Sequence, residues 1–255
     1  LSEGVNPEDI LLLTFTNKAS KQMLERVEEL TGMGAHRFLG GTFHHVGGQV
    51  LRLFGDSIGL PRNYTILDDS DSDSLLSEVI RDLDPDFFKS KENPKAKPIK
   101  GIISYSRNVM VPVEEVAKGR YPSNGELLAK IDAFMREYQE AKISRGLADY
   151  DDLLVLWLQV LETNQDAAQY YQDRFSHILV DEYQDVNTLQ AKIVDKIGAN
   201  HQIMAVGDDA QCIYTWRGAD IDQILGFPER HPGTRIFKIE TNYRSSPEIL
   251  KFANG

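Results

Sequence analysis

The feature that most constrains the fold is a short apolar run, Phe175–Val180, that ends directly in two carboxylates, Asp181 and Glu182. A second apolar run, Ile203–Val206, ends at Gly207, and apolar residues at helical spacing lie between the two runs. Short apolar runs that alternate with helical spacing predict a parallel sheet covered by helices on both faces. Ligands bind such sheets at the carboxyl ends of the strands, so the two carboxylates are candidates for chemistry.

The N-terminal part of the chain repeats this pattern. Residues Ile10–Phe15 have the composition of a buried strand. The next segment has helical spacing, with four apolar residues on one stripe: Ala19, Met23, Val27 and Leu30. We therefore predict an α/β fold built on a parallel sheet.

Composition narrows the class of protein. The 255 residues are 41% apolar, enough to bury a substantial core in one large domain or two modest ones. A net charge of −11 excludes a wholly basic nucleic-acid coat protein but leaves room for a local basic or aromatic groove. Cys212 is the only cysteine, which excludes an intrachain disulfide and favours a reducing, cytoplasmic compartment. The longest apolar stretches, such as Leu153–Leu158, are far shorter than the ~18 residues of a membrane-spanning helix.

The middle of the chain has a different character. From Pro61 to Ser144 the spacing is mostly helical and no strand is convincing, with helices around Leu75–Leu83 and Leu127–Tyr138. A Pro- and Lys-rich piece, Lys89–Lys100, separates these helices. We therefore predict a helical subdomain inserted into the α/β domain. The expected division is an α/β domain at residues 1–60 and 146–255 and an inserted subdomain at residues 61–145.

An acidic run, Asp68–Asp73, has the first three ligand spacings of a calcium loop. The sixth and twelfth positions of such a loop require Gly and Glu, whereas Ser74 and Ile80 occupy them here. We therefore interpret the run as the capping residues of a helix that starts near Ser70.

The Asp181–Glu182 pair suits the hydrolysis of a phosphoanhydride. In that reaction one carboxylate holds Mg²⁺ and a second orients or deprotonates the attacking water. The alternative is structural, because acidic pairs also commonly cap a following helix. The pair by itself does not separate these two interpretations.

The segment after the second apolar run adds further candidates. Gly207 frees the turn, and Gln211 offers an uncharged amide able to sense a terminal phosphate. Tyr214, Trp216 and Arg217 could stack on nucleic-acid bases. The alternative is that the two aromatic rings belong to a core or an interface.

A third segment follows further along the sequence. Arg244 has a planar guanidinium suited to a phosphoryl transition state, and Tyr243 offers a ring that could stack on a purine. The same segment also fits a turn into a helix, with Ser246 as N-cap and Pro247 at the first helical position.

These segments resemble motifs of the UvrD/PcrA/Rep family of superfamily 1A DNA helicases, and six such motifs occur in the family's order. The matching stretches are Leu12–Met23 (motif Ia), Gly41–His44 (motif Ib), Ala148–Leu153 (the short motif after the helical insertion), His177–Asp185 (motif II), Gly207–Asp220 (motif III) and Asn242–Ser245 (motif IV). The resemblance spans nearly the whole chain.

The resemblance implies a RecA-like P-loop NTPase domain, the first of two, in an ATP-driven motor that tracks 3′ to 5′ on single-stranded DNA. It further implies that Asp181 holds Mg²⁺ and that Glu182 activates water. Gln211 and Arg244 would contact the γ-phosphate of ATP, and Tyr243 would stack on adenine. The residues implied to contact DNA are Phe15, Thr16, Asn17, Thr42, His44, Tyr150, Tyr214, Trp216 and Arg217.

The sequence departs from the family at three points. Tyr150 stands where family members commonly have Phe, which preserves the ring. Motif III reads Gly-Asp-Asp-Ala-Gln-Cys rather than Gly-Asp-x-Asp-Gln-Ser, which keeps Gln211 and changes its neighbours. The 255 residues contain no Gly-Lys dipeptide and therefore no P-loop. We expect an internal fragment of a larger helicase, inactive by itself, with an unpaired sheet edge or a gap beside Ile203–Val206.

Two other functions stay open at the level of sequence. The first is a non-hydrolytic module that binds single-stranded DNA or regulates a partner, against which the intact candidates for hydrolysis argue. The second is a metal-dependent nuclease built on Asp149, Asp151, Asp152 and Asp181, for which nothing else in the sequence supplies a two-metal cluster. The leading function implies as partners single-stranded DNA, single/double-strand junctions and the second motor domain of the same polypeptide.

Overall fold

The strands form two parallel sheets. The computed structural model describes residues 4–199, 202–214, 218–241 and 245–253. The strands among these residues are β1 (Ile10–Thr14), β2 (Leu39–Thr42), β3 (Thr65–Ile66), β4 (Leu147–Ala148), β5 (His177–Val180) and β6 (Gln202–Ala205). The larger sheet has the order β2-β1-β5-β6, and β3 pairs with β4 separately. The predicted α/β fold with a parallel sheet is confirmed.

Helices surround these strands. Those among the described residues are α1 (Asn17–Thr31), α2 (Phe43–Phe54), α3 (Asp69–Leu83), α4 (Ala96–Val109), α5 (Val113–Arg120), α6 (Gly125–Ser144), α7 (Asp152–Thr163), α8 (Gln165–Arg174), α9 (Thr188–Ile197), α10 (Asp222–Leu225), α11 (Phe227–Arg230) and α12 (Pro247–Ala253). α7 packs against α2, α8 and α9. Its buried Trp157 joins Leu13 and Ile178 of the sheet and Ile193 of α9 in one apolar core.

The first strand and helix follow in the predicted order, and the two differ in how deeply they are buried. Leu11 and Leu13 of β1 are fully buried, as expected for a strand flanked by parallel neighbours. The Thr16 hydroxyl caps α1 by accepting a hydrogen bond from the backbone of Ala19 at 3.1 Å. However, α1, all of whose residues are described, buries no side chain fully, and Leu30 is 71% exposed. Its apolar stripe is therefore not a core face in this structure.

Helices α2 and α7 approach each other closely at one glycine. A methyl group on Gly47 would overlap the backbone carbonyl of Leu153 and lie 3.2 Å from the Trp157 ring. The neighbouring Gly48 has room for a methyl group, because a Cβ atom there would lie 3.7 Å from the nearest atom, the Tyr64 hydroxyl oxygen. The lack of a side chain at position 47 therefore sets the spacing of the two helices.

Helices α3 to α6 enclose a second apolar core, which includes Leu76, Ile99, Ile131 and Phe134. Lys89–Lys100 lies between the two predicted helices, now α3 and α6, but its last residues already belong to α4, which begins at Ala96, and α5 follows. Pro98 is tolerated because it lies in the first turn, where its missing N–H removes no helical hydrogen bond.

The segment from residue 61 to 144 also contains a strand that the sequence did not predict. In β3, Thr65 pairs with Leu147 and Ile66 with Ala148 of β4. Backbone hydrogen bonds hold the pair, from Thr65 N–H to the Gly146 carbonyl at 3.0 Å and on its other side from Leu67 to Ala148. Both β3 residues are exposed, so no apolar alternation marks the strand in the sequence.

The acidic run caps a helix, as interpreted. Asp68 accepts a hydrogen bond from the Asp71 backbone at 2.8 Å, and α3 begins at Asp69. Lys100 forms ion pairs with Asp69 and Asp73. In the described part of the chain, no group of three or more His, Cys, Asp or Glu side chains is arranged to hold a metal ion. The described helices include none that is both long enough and apolar enough to cross a membrane.

Strand β6 forms one edge of the larger sheet. Among the described residues it pairs only with β5, from His177–Gln202 to Val180–Ala205, and Met204 is 57% exposed. The expected unpaired edge is therefore present. Strand β5 itself starts at His177 rather than at Phe175. The backbone N–H of Phe175 still donates to the carbonyl of Tyr171, at the end of α8.

Candidate functional site

The predicted site residues that the structure describes follow the carboxyl ends of strands. Phe15, Thr16 and Asn17 come directly after β1, and His44 lies in the first turn of α2, just after β2. Asp181 and Glu182 follow β5, and Gln211 lies in the loop after β6. Because the four strands are parallel, these side chains lie along one edge of the sheet.

Trp216, Arg217, Tyr243 and Arg244 lie outside the described residues, so their predicted roles stay predictions. The helix expected after Tyr243 and Arg244 is present: α12 begins at Pro247, as predicted. Pro at the first helical position removes only an N–H that would have no helical partner.

Three carboxylates crowd the end of β5. The backbone N–H of Asp181 donates to the Leu13 carbonyl at 2.9 Å, which fixes the start of the loop beside β1. Burial, and then the charge of Glu182, raise the pKa of Asp181. Burial and the same charge raise the pKa of Asp185 to about 6. Burial is the largest cause of both shifts, and the charge of Glu182 adds to it.

Glu182 has an unusual backbone conformation. Its φ of 52° and ψ of 46° lie in the left-handed region, which non-glycine residues adopt at a cost of roughly 1–3 kcal/mol. Hydrogen bonds on the C-terminal side hold this turn: Tyr183 N–H donates to the Val206 carbonyl at 2.8 Å, and Asp185 N–H donates to the Glu182 carbonyl at 2.9 Å. The turn presents the Glu182 side chain to solvent.

The loop after β6 contacts the loop after β5 through a side chain to which the sequence analysis assigned no role. The buried Gln184 amide donates to the Glu182 carboxylate at 2.6 Å and accepts from the Asp208 backbone N–H at 3.0 Å. Asp208 in turn accepts from the Gln211 amide at 2.7 Å. The sequence signal that could have indicated this link is the position of Gln184 within the motif II stretch, two residues after Glu182.

Two aromatic pairs lie near this edge. The Phe15 and Tyr214 rings are 5.2 Å apart between centroids and tilted by 33°. The His44 and Tyr150 rings are 4.0 Å apart and stacked, and Tyr150 is 55% exposed. Burial lowers the pKa of His44 to about 4, so the imidazole is neutral near pH 7 and offers a ring rather than a positive charge.

A pocket of about 640 Å³ brings four of the predicted DNA contacts together: Asn17, Thr42, His44 and Tyr150. The Thr42 hydroxyl caps α2 by accepting from the His45 backbone at 3.2 Å. Arg52 and Tyr64 complete another wall, with the guanidinium carbon 4.4 Å from the ring centroid. The sequence analysis missed these two residues, because they are distant from any motif.

The aspartates around Tyr150 are bound internally. Lys142, fully buried, forms ion pairs with Asp149 and with Asp152, the latter at 2.7 Å, and Arg107 pairs with Asp152 at 3.3 Å. Burial opposes ionisation of Asp149, but the charges of Lys142 and Arg107 outweigh it and lower the pKa of that carboxyl to about 2. This arrangement removes the structural support for a nuclease that would use these carboxylates as metal ligands.

Fold and sequence together place the chain in a known family of proteins. The family model for the UvrD/REP helicase N-terminal domain matches residues 1–232. The chain therefore belongs to the UvrD/REP helicase family, and its α/β fold is the RecA-like fold of that N-terminal domain.

Particular relatives are ATP-dependent DNA helicases named PcrA. The protein of Bacillus subtilis (strain 168) is 37% identical over 253 residues, covering 98% of this chain and 33% of the relative. A Staphylococcus epidermidis relative is 36% identical over 254 residues, covering 99% and 34%. A Staphylococcus aureus relative is 35% identical over 253 residues, again covering 99% and 34%. The chain thus spans about a third of the length of the curated relatives it matches.

Proposed function

We propose that this chain is the first motor domain of an ATP-dependent DNA helicase that moves 3′ to 5′ along single-stranded DNA. The observation that carries the proposal is the convergence at one sheet edge of the Asp181–Glu182 carboxylates and two aromatic pairs. Hydrolysis and DNA contact would then meet in the loop after β6, which carries both Gln211 and Tyr214. The similarity to PcrA helicases supports the same function.

The residues present suit hydrolysis of Mg²⁺-bound ATP. Mg²⁺ in such sites is usually held by one or two carboxylates together with the substrate phosphates, and Asp181 is the carboxylate proposed to hold it. Glu182 would accept the proton of the attacking water, and Gln211 and Arg244 would contact the γ-phosphate. Tyr243 would stack on the adenine. The backbone phosphate cradle with its Lys is not among these 255 residues, which contain no Gly-Lys dipeptide.

Contact with DNA would rest mainly on stacking. Each base stacked on an aromatic side chain contributes ~1–3 kcal/mol regardless of its identity. Phe15, Tyr150, Tyr214 and Trp216 are the proposed stacking rings, with Thr16, Asn17, Thr42, His44 and Arg217 beside them. Single-stranded DNA, single/double-strand junctions and a second motor domain of the same polypeptide are the proposed partners.

The full-length gene product tests this proposal. We expect single-stranded DNA to stimulate phosphate release, and a duplex with a 3′ tail to be unwound in preference to one with a 5′ tail. Absence of any DNA-stimulated turnover would overturn the proposal. DNA binding without turnover would favour the non-hydrolytic alternative.

One variant tests the proposed base. Glu182→Gln should keep ATP binding and lose ~10²–10⁴-fold in hydrolysis, the range for removing a general base. Glu25→Gln is the matched control, because Glu25 is exposed on α1, where it forms an ion pair with Lys21 at 3.7 Å. Near wild-type turnover of Glu182→Gln would show that another group activates the water.

A further inference from the structure

Gln184 joins the two loops that carry the proposed chemistry. Its side chain is 1% exposed and has both polar atoms satisfied, Nε2 by the Glu182 carboxylate and Oε1 by the Asp208 backbone N–H. Because a backbone N–H can only donate and a carboxylate can only accept, these two partners leave a single orientation for the amide. The contact therefore fixes where the Glu182 carboxylate lies relative to the loop after β6.

We propose that Gln184 is a positioning residue that couples the state of the loop after β6 to the Glu182 carboxylate, and so links DNA contact to hydrolysis. The inference rests on the proposed function, in which Glu182 is the base, and it names a residue that positions the Glu182 carboxylate. The hydrogen bonds form a continuous path from Glu182 through Gln184 and Asp208 to Gln211. Three residues further along the chain, Tyr214 pairs with Phe15.

The backbone around this amide leaves it little freedom. A Cβ atom on Gly207 would lie 2.6 Å from Gln184 Oε1 and 3.1 Å from the Gln184 backbone nitrogen. The loop after β6 can therefore reach the amide only because position 207 lacks a side chain. On the other side, Glu182 keeps its left-handed conformation, which persists only where the surroundings hold it. Movement of the Asp208 loop would displace the Gln184 amide and, through it, the carboxylate.

The coupling also works in reverse. Equilibrium coupling between two sites is reciprocal. If the position of the Asp208 loop changes the free energy of placing the Glu182 carboxylate, then a change at Glu182 changes the free energy of placing the loop by the same amount. A residue that only filled space would stabilise the fold equally in all states and would not change the ratio of DNA-stimulated to basal turnover.

The test compares two buried glutamines in the full-length gene product. Gln184→Leu removes both hydrogen bonds at similar volume, and we expect kcat with saturating single-stranded DNA to fall roughly 10- to 100-fold, the cost of small misplacement of a reacting group. We expect KM for ATP and the affinity for single-stranded DNA to change by less than about twofold, because neither involves the amide. The ratio of stimulated to basal turnover should fall.

Gln190→Leu is the matched control. Gln190 is 2% exposed and forms the capping box of α9 with Asn187, remote from the Asp208 loop in its hydrogen bonding. Its replacement should lower the melting temperature without changing the ratio of stimulated to basal turnover. An equal loss of that ratio in both variants would overturn the proposal, because it would show a general effect of stability.

Gln184→Glu keeps the test decisive if the Leu variant does not fold. The glutamate has the same size and still accepts from the Asp208 N–H, but it cannot donate to Glu182 when ionised. Because burial and the charge of Glu182 raise the pKa of a carboxyl at this position, the variant is assayed from about pH 7 to about pH 9. We expect its stimulation ratio to fall toward that of the Leu variant as the glutamate ionises, and wild-type stimulation at every pH would overturn the proposal. The proposed function fails separately, if the wild-type protein shows no stimulation by DNA at all.

Discussion

At the scale of single residues, Tyr150 has an exposed ring although Asp149 and Asp152, close to it in sequence, are buried. Asp149 and Asp152 on either side are held by Lys142, whereas the Tyr150 ring is 55% exposed and stacks on His44. The ion pairs fix the neighbouring aspartates, and the Tyr150 ring, stacked on His44, lines the pocket. A base that entered the pocket would meet a ring already in position.

Replacement of Tyr150 tests the stacking role. In the full-length gene product, Tyr150→Ala should weaken binding of a labelled single-stranded oligonucleotide by ~1–3 kcal/mol with little dependence on base sequence. Tyr150→Phe keeps the ring and should bind as the wild type does. Fluorescence anisotropy measures both affinities. Equal affinities for the Ala variant and the wild type would show that Tyr150 does not contact the bases.

The half-buried imidazole of His44 gives the fold a pH dependence. The folded-state pKa of about 4 lies below the ordinary value of 6.5, so the unfolded chain takes up the proton first as pH falls. The stability that neutral His44 contributes is complete above pH 6.5 and is lost between pH 6.5 and 4. In denaturant titrations at pH 7 and 4, the wild type should lose roughly 1–3 kcal/mol more than His44→Gln. Equal losses would contradict this account.

At the scale of elements, the contact of α2 with α7 depends on Gly47. Gly47→Ala would force the methyl group against the Leu153 carbonyl, and such overpacking costs about 1–3 kcal/mol. Gly48→Ala on the same helix meets no close atom and should be neutral or stabilising by up to about 1 kcal/mol, because Ala favours helix over Gly. Thermal unfolding measures both changes. Similar melting temperatures for the two variants would contradict the close approach.

Elements with a strong apolar pattern could be predicted from the sequence, whereas those held mainly by backbone pairing could not. β1, β5 and α9 bury apolar side chains at the expected spacing. β3 has two exposed residues and exists through hydrogen bonds to β4, so nothing in its own sequence marks it. The stripe on α1 was visible, but its burial depends on neighbours that the pattern does not specify.

The residues of the candidate site also fall into those that the sequence could predict and those that it could not. The carboxylates after β5 and the rings of Phe15 and Tyr150 follow from motif and strand position. Gln184 and Lys142 were missed because their roles depend on partners brought close by the fold, the Asp208 backbone and two buried aspartates. Spacing along the chain carries no information about such partners.

At the scale of the whole molecule, the 255 residues lack a phosphate cradle. Without that backbone cradle and its Lys, neither Asp181 nor Gln211 can hold the triphosphate alone. We expect no measurable DNA-stimulated ATPase or unwinding from this chain by itself, and only weak, salt-sensitive binding of single-stranded DNA. Phosphate release with saturating DNA, compared with that of the full-length gene product, measures this. Robust turnover by the 255 residues would place the nucleotide site elsewhere.

The buried ion pairs of Lys142 join the two apolar cores. Lys142 lies on α6 and Arg107 on α4, within the helices that enclose the second core, whereas Asp149 and Asp152 lead into α7 of the first core. A form with only one core assembled would leave a desolvated charge unpaired, at a cost of several kcal/mol. The two cores are therefore expected to open as one cooperative unit, with amide hydrogens of α6 and α7 exchanging through the same event.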